Sequence, residues 1–320
     1  MSGLTPIRLG TRASLLARTQ SSHVARLLET ALGRPVELVE VSTEGDLNSA
    51  PLASMGGTGV FVSALRAALV ANQVDVVVHS LKDLPTAAFP GVVLAAVPER
   101  EDVRDVVVAR AALSQLPAGA RIGTGSPRRV AQIAALGHSI ELVGVRGNVD
   151  TRIGKVGKGE LDGVVLAAAG LARLGRLDEV TEFLSVDDVL PAPGQGALAV
   201  ECRDGDALAG SIAAALDDRA ARTCVTAERT VLALLEAGCS APVGAHATLE
   251  ADGVIHLDAA VASIDGSRIL REARSGRDAA VLAEEVSQVL LKGGAADLVA
   301  TASGASDTTN ASHAESRRPS

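Results

Sequence analysis

The sequence predicts two α/β lobes followed by a small α+β domain, and three observations carry that prediction. Short Val-, Ile- and Leu-rich runs alternate with helix-length segments, the pattern of βαβ units with a largely parallel sheet. That alternation runs once to about residue 99 and again from residue 100 to about 195. From Asp217 onward, strands and helices cease to alternate, which marks a separate α+β domain. The expected domains are 1–99 with 196–217, then 100–195, then 218–302, with a Ser/Thr/Asn/Ala-rich and disordered tail over 303–320. At 320 residues the chain is long enough for more than one sizeable core.

In order, Thr5–Gly10 reads as a strand and Ala13–Leu32 as a helix stopped by Gly33. Val36–Ser42 is a second strand, and a polar, Gly-rich stretch from Glu44 to Gly59 follows, long for a connector. Val60–Asn72 is a helix, and Val74–Val78 a buried-type strand running into His79-Ser80-Leu81-Lys82-Asp83-Leu84-Pro85. Val92–Val97 is a strand, and Pro98–Asp105 a charged crossover. The second lobe places strands near Val106–Ala109, Arg121–Gly123, Ile140–Val143 and Val164–Ala167. Pro191-Ala192-Pro193-Gly194-Gln195-Gly196 reads as a hinge before a strand at Ala197–Cys202. The last domain holds a helix at about Ala220–Glu236, strands at Ala245–Leu249, Val254–Ala260 and Arg268–Glu272, and a helix near Ala279–Leu291.

Composition excludes several functions. Nearly half the residues are apolar, yet Trp and Tyr are absent and the aromatics are Phe61, Phe89 and Phe183. Single-stranded nucleic acid, which stacks on aromatic platforms, is therefore not an expected partner. A formal charge of −8 also disfavours nucleic acid or an anionic membrane. Cys202, Cys224 and Cys239 are odd in number and never in Cys-x-x-Cys spacing, which fits a reducing compartment. No metal site is expected. The start, Met1 to Arg8, has no apolar run of signal-peptide length, and no run reaches a membrane span. A soluble, cytoplasmic protein is expected.

One basic segment stands against the acidic whole. Between Arg121 and Lys158, seven cations face only Glu141 and Asp150. Ser126 suits a helix N-cap, Pro127 the first helical position and Gly137 a stop, so Arg128 and Arg129 fall in the first turn. Cations there oppose the helix dipole, and a bound anion would reverse that penalty. Arg146 and Arg152 flank a second turn of the same kind, Gly147-Asn148. Two readings stand: a seat for carboxylates or phosphates, or two solvated helix starts with surface arginines.

Three other residues carry similar alternatives. Asp83 lies just past a strand end beside Lys82, where a carboxylate stabilises a cationic intermediate or moves protons, or where a solvated turn simply ends. His79 is a base or a satisfied strand-end histidine. Cys239 follows a helix in a loop of small residues, where a small buried hydrophobe competes with a reactive thiol. Thr11-Arg12-Ala13-Ser14 occupies the C-terminal edge of the first strand, where α/β sheets place ligands.

Seven motifs together resemble the porphobilinogen deaminase (hydroxymethylbilane synthase) family, in its order and spacing from residue 7 to about 300. They are the Thr11–Ser14 and Val78–Pro85 runs, Gly123-Thr124-Gly125-Ser126-Pro127-Arg128-Arg129, Arg146-Gly147-Asn148-Val149-Asp150-Thr151-Arg152, Ala169–Gly175, Pro193–Gly196 and Glu236-Ala237-Gly238-Cys239. The resemblance implies two lobes like type II periplasmic binding proteins around a cleft, and a third domain with a cysteine loop. It implies a transferase of tetrapyrrole and heme biosynthesis. Four porphobilinogen molecules are condensed head to tail onto an enzyme-bound dipyrromethane with loss of ammonia, and hydrolysis releases 1-hydroxymethylbilane.

On the same resemblance, the dipyrromethane is attached to Cys239, and Asp83 is the catalytic aspartate that stabilises the cationic azafulvene, with Lys82 beside it. Arg12, Arg128, Arg129, Arg146, Arg152 and Arg173 are the expected carboxylate-binding arginines. Ser14, Ser80, Thr124, Ser126 and Asn148 are supporting donors, with Gln195 at the hinge. A monomer is expected, with porphobilinogen as its partner and neither nucleic acid nor membrane. Leu15, Gly125 and Pro127 depart from the family's usual Pro, Ser and Leu, and Ser54 and Thr58 stand where many members carry lysines. The rival readings are a non-catalytic anion-binding protein, for which Lys82-Asp83 and Cys239 have no purpose, and a nucleic-acid regulator, disfavoured by charge and aromatics.

Overall fold

Alternation of apolar runs and amphipathic segments produces the expected α/β layers in the computed structural model, which describes residues 5–41, 59–238 and 241–301. The chain begins β1 (Ile7–Thr11), α1 (Leu15–Leu32), β2 (Val36–Glu40), α2 (Gly59–Val70), β3 (Val76–Ser80) and β4 (Val92–Ala96). It continues β5 (Asp105–Ala109), β6 (Arg121–Thr124), α3 (Pro127–Ala135), β7 (Glu141–Gly144), α4 (Val149–Gly157), β8 (Gly163–Ala167), α5 (Ala168–Arg173) and β9 (Glu182–Phe183). Then come β10 (Leu198–Arg203), α6 (Ala207–Leu216), α7 (Arg219–Leu234), β11 (Val243–Leu249), β12 (Ile255–Ala262), β13 (Ile269–Gly276) and α8 (Ala279–Lys292). Two compact units result. One holds the described residues of Met1–Val103, Ala167–Asp178 and Gly194–Val225; the other those of Arg104–Leu166, Glu179–Pro193 and Thr226–Ser320.

In the first unit a five-stranded sheet runs β2-β1-β3-β10-β4. β1 is parallel to β2 and β3, while β10 is antiparallel to both β3 and β4. Helix α1 starts where Ser14 caps it, accepting from the Ala17 N–H, and stops at Gly33, whose φ of 61° suits a residue without a Cβ. Its buried face, Val24 and Leu28, packs on Ile7, Leu9, Val76 and Val200. Leu65, Leu69, Val74 and Val77 form a second cluster. Each such side chain contributes about 1.5–3 kcal/mol on burial.

The second unit contains two sheets. The five-stranded one runs β7-β6-β8-β5-β9, with β6 parallel to β7 and β8 and the two-residue β9 antiparallel to β5. Val107, Ile122, Ile133, Val165 and Val189 form its core. Both five-stranded sheets therefore share one order: second, first and third strands of a βαβ series, an inserted strand, then an edge. This is the type II binding-protein-like lobe that the family resemblance implies. The remaining sheet is the antiparallel meander β11-β12-β13. Alternate residues Ile255, Leu257, Ala259 and Val261 turn inward, as do Leu282, Val286 and Leu290 of α8.

The sequence reading needs four corrections. β3 spans Val76–Ser80 rather than Val74–Val78; Asp75 just before it takes Arg8 on its carboxylate. Helix α6 was not anticipated: its Ala-rich sequence has no polar face, and the cap Asp206, accepting from the Leu208 N–H, is what starts it. The short β9 lacks any periodic signal. Both large sheets are mixed rather than largely parallel, since β10 runs antiparallel to β3 and β4 and β9 antiparallel to β5. Cys202 and Cys224 are buried, and burial pushes the Cys202 pKa up to about 12, the behaviour of a small hydrophobe. Most of the Glu44–Gly59 stretch, with Ser54 and Thr58, lies outside the described residues, as do Cys239 and the 303–320 tail. No helix among the described residues is long and apolar enough to cross a membrane.

Candidate active site

In the first unit, β3 ends at Ser80 and the chain turns through a single 3-10 turn, Leu81–Asp83, closed by the Leu84 N–H on the Leu81 carbonyl. Leu81 and Leu84 are buried and anchor that turn, and the Leu81 N–H donates to the Ala197 carbonyl at 3.0 Å. Lys82 and Asp83 are consequently presented half-buried between two fixed points. No hydrogen bond from the described residues reaches the Asp83 carboxylate. Lys82 Nζ donates to Gln195 Oε1 at 3.3 Å.

Gln195 is itself buried, and its Nε2 donates to the Val103 carbonyl at 2.8 Å. Arg100 Nε donates to the Gln195 carbonyl at 2.9 Å and Arg173 Nη2 to the Gly196 carbonyl at 2.6 Å. Gly196 has φ +87°, and a Cβ there would stand 2.4 Å from the Glu101 carbonyl oxygen, so only glycine fits. The Gln195-Gly196 turn thus gathers Lys82 and Arg173 to one place. Burial lowers the Arg173 pKa, with Glu101 opposing.

Ser80 Oγ accepts from Gln20 Nε2 at 3.0 Å. Gln20 was missed in the sequence, although a glutamine on the buried face of an amphipathic helix is the available signal. Ser14 caps α1, and Arg12, half-buried, follows β1 directly. His79 is a buried network residue: its Nε2 lies 3.3 Å from Glu201 Oε2, and Arg66 grips Glu201 at 2.9 and 2.6 Å. Burial works to raise the Glu201 pKa, but His79 and Arg66 outweigh it and lower it.

In the second unit, Ser126 caps α3 as expected, and the Ser126 N–H donates to Thr124 Oγ1 at 3.3 Å. The arginines behave differently from a solvent-facing seat. Arg128 and Arg129 are 3% and 5% exposed, and the anion they meet is Asp105, itself fully buried. Arg129 Nε and Nη2 donate to Asp105 Oδ1 at 3.0 and 2.7 Å, and Arg128 Nη1 lies 2.8 Å from Oδ2. Arg129 Nη1 also donates to the Val165 carbonyl at 3.0 Å, and Arg128 Nη1 to the Leu190 carbonyl at 2.6 Å. Burial works to raise the Asp105 pKa, but the two guanidiniums outweigh it and hold the carboxyl well below the usual range. Burial lowers the Arg128 pKa against the pull of Asp105. Arg128 Nε is buried and meets no acceptor among the described residues.

The second arginine turn is open. Asn148 caps α4, its Oδ1 accepting from the Thr151 N–H at 2.8 Å. Arg152 Nε donates to the Gly147 carbonyl at 2.8 Å. Arg146 is exposed and makes no hydrogen bond to the described residues. Charge-assisted pairing with carboxylates is what this arrangement can do. An open cavity of about 210 Å³ on the three-stranded sheet, lined by His246, His256 and Asp258 among others, contains none of these residues. Among the described residues no group of three or more His, Cys, Asp or Glu could hold a metal ion.

Comparison with known proteins agrees across almost the whole chain. The family described as porphobilinogen deaminase, dipyromethane cofactor binding domain, matches residues 7–210, and the one described as porphobilinogen deaminase, C-terminal domain, matches residues 222–292. The chain is 57% identical to porphobilinogen deaminase 1 of Streptomyces coelicolor over 92% of this chain and 97% of that protein. It is 58% identical to the porphobilinogen deaminase of Thermobifida fusca, over 83% and 84%. Among solved structures, a periplasmic substrate-binding protein of an ABC transporter from Coxiella burnetii aligns with TM-score 0.42 at 14% identity, over 70% of this chain and 96% of that one. The chain therefore belongs to the porphobilinogen deaminase family: transferases that use a dipyrromethane cofactor and condense four porphobilinogen molecules to 1-hydroxymethylbilane, in tetrapyrrole biosynthesis.

Proposed function

We propose that Asp83 is the catalytic carboxylate of this deaminase, that Lys82 binds substrate carboxylates beside it, and that Cys239 attaches the cofactor. The observation that carries the reading is the Asp83 turn. Its carboxylate is held by buried Leu81 and Leu84 at a strand end, and no described residue spends it. A fixed anion there stabilises the positive charge that develops on porphobilinogen as ammonia leaves the aminomethyl arm, without reorganisation at the moment of reaction.

The donor set fits a cofactor bearing several carboxylates. Arg146 is exposed with its guanidinium uncommitted among the described residues, and Arg128 keeps a buried N–H without an acceptor. Arg12, Arg152 and Arg173 complete the carboxylate donors, and Arg129 shares the Arg128 seat. Ser14, Ser80, Thr124, Ser126 and Asn148 hold the helix starts and strand ends that present them, and Gln195 positions Lys82. When bound, the dipyrromethane supplies the free pyrrole α-carbon that primes the chain. The domains are 1–99 with 196–217, 100–195 and 218–302, and the enzyme is a cytoplasmic monomer that engages neither nucleic acid nor membrane.

Intact mass tests the reading. Wild-type protein should exceed its polypeptide mass by two linked pyrrole units, and Cys239→Ser should not. A bare mass that stays bare after incubation with porphobilinogen sinks the assignment. Asp83→Asn should carry the cofactor mass yet lose about 10²–10³-fold in kcat, the scale for removing one preorganised electrostatic group.

A further inference from the structure

Among the described residues of the second unit, the reaction as described leaves the buried polar side chains of Gln132, Glu228 and Ser287 unused, and Gln132 is the one that stands beside the arginine pair. Gln132, 4% exposed, lies one helical turn beyond Arg128 on α3. Its Nε2 donates to the Leu190 carbonyl at 3.0 Å, and its Oε1 accepts from the Leu190 N–H at 2.8 Å. Arg128 Nη1 donates to that same carbonyl at 2.6 Å. A single residue, Leu190, is thus clamped from both sides of its backbone by the helix that carries the arginine pair.

The clamp continues into the three-stranded sheet. The next carbonyl, Pro191, accepts from the Ala245 N–H of β11 at 3.0 Å. Beside it, a Cβ on Gly244 would stand 2.8 Å from Leu190 Cβ, 2.9 Å from Leu190 O and 3.3 Å from Gln132 Nε2. The β11 backbone therefore rests directly on the clamp, a contact that only glycine allows. A second seat lies in the β12–β13 turn, where Gly266 has φ +72° and its Cβ would stand 2.5 Å from the Ala131 carbonyl of α3. Helix α3 is fixed to this sheet at two points. β11 starts at Val243, four positions after Cys239 in the sequence.

We propose that Gln132 is a positioning residue that sets the register of β11, which begins four positions after Cys239 in the sequence, against the Arg128–Arg129 pair. The proposal rests on the reading of Cys239 and those arginines given above. An apolar side chain of equal size would fill the same volume. The amide adds a two-point directional bond that fixes where the strand begins, which packing alone does not specify. Attaching a cofactor at Cys239 while its carboxylates are held elsewhere requires that register, because displacement of about 1 Å costs up to about 10²-fold in an oriented reaction.

The test follows attachment rather than turnover. Full-length apo-protein is incubated with porphobilinogen, and the gain of two linked pyrrole units is timed by intact mass, alongside thermal melting. Gln132→Met and Gly244→Ala should each slow attachment at least about tenfold. Leu290→Ala, which opens a cavity where α8 packs on the same sheet, should lower the melting temperature at least as much yet attach at the wild-type rate. Attachment within twofold of wild type in both register variants overturns the proposal, as does equal slowing in Leu290→Ala. If one register variant does not fold, the other decides. Wild type that gains no mass removes the cofactor reading itself, and this proposal with it.

Discussion

Two helix starts in the same unit carry similar arginine-rich turns and dispose of them in opposite ways. At α3, Arg128 and Arg129 are buried on Asp105. At α4, Arg146 is exposed without a described partner and Arg152 bonds the Gly147 carbonyl. The difference is one carboxylate, Asp105, which opens β5, the inserted strand of its sheet. The other five-stranded sheet places Glu201 on its own inserted strand, β10, and covers it with Arg66 and His79. An anion-friendly turn therefore does not reveal whose anion it serves. At α3 much of the charge is spent on a buried carboxylate, and at α4 Arg146 stays exposed.

The largest expected effect breaks the buried member of that pair. Asp105→Ala leaves two guanidiniums in the interior without their counter-charge, which costs about 3–5 kcal/mol and is read as a loss of melting temperature. Acid should reveal the same carboxylate. Its folded pKa is depressed, so its contribution is fully present above the unfolded value of about 3.9 and disappears as pH falls from there through the lower folded value. Wild-type stability should then fall more steeply below about pH 4 than that of Asp105→Asn, by up to about 1.4 kcal/mol per pH unit. Equal slopes would mean that Asp105 is not the charge that holds α3.

That contrast also marks what the sequence could tell. The helix starts were legible because Ser126, Pro127 and Asn148 act locally, through bonds within four residues. The place of Asp83 just past a strand end was legible because a Val-rich strand stops shortly before it. Asp105 was not, since its partners lie 23 and 24 positions away and nothing in the Arg104-Asp105-Val106 run distinguishes it from a solvated aspartate. The Gln20–Ser80 and Gln132–Leu190 bonds, 60 and 58 positions apart, were hidden for the same reason. Helix α6 escaped because its start depends on a cap and its sequence has no periodic polar face.

The open member should respond in binding rather than stability. Arg146→Ala should change stability by no more than about 0.5 kcal/mol, as exposed positions do. A lost charge-assisted bond to a carboxylate is worth about 1.5–3 kcal/mol, so KM should rise roughly 10- to 150-fold. Arg128→Met should instead lose stability along with any binding defect, because Asp105 and the Leu190 carbonyl both depend on it. Steady-state kinetics with melting curves for the two variants separates the cases. Matching profiles would erase the distinction between the turns.

The smallest effect concerns the caps. Asn148 accepts the Thr151 N–H at 2.8 Å, whereas Ser126 accepts the Arg129 N–H at 3.5 Å, near the limit of a useful bond. Helix α3 also has Arg129 fastened to Asp105 and Val165 deep in the interior, whereas α4 has no buried residue. Asn148→Ala should therefore cost about 1 kcal/mol, the ordinary value of a cap, and Ser126→Ala only a few tenths. Urea denaturation resolves that difference. If Ser126→Ala costs as much as Asn148→Ala, the start of α3 depends on its cap after all, and the buried ion pair contributes less to holding that helix than its geometry implies.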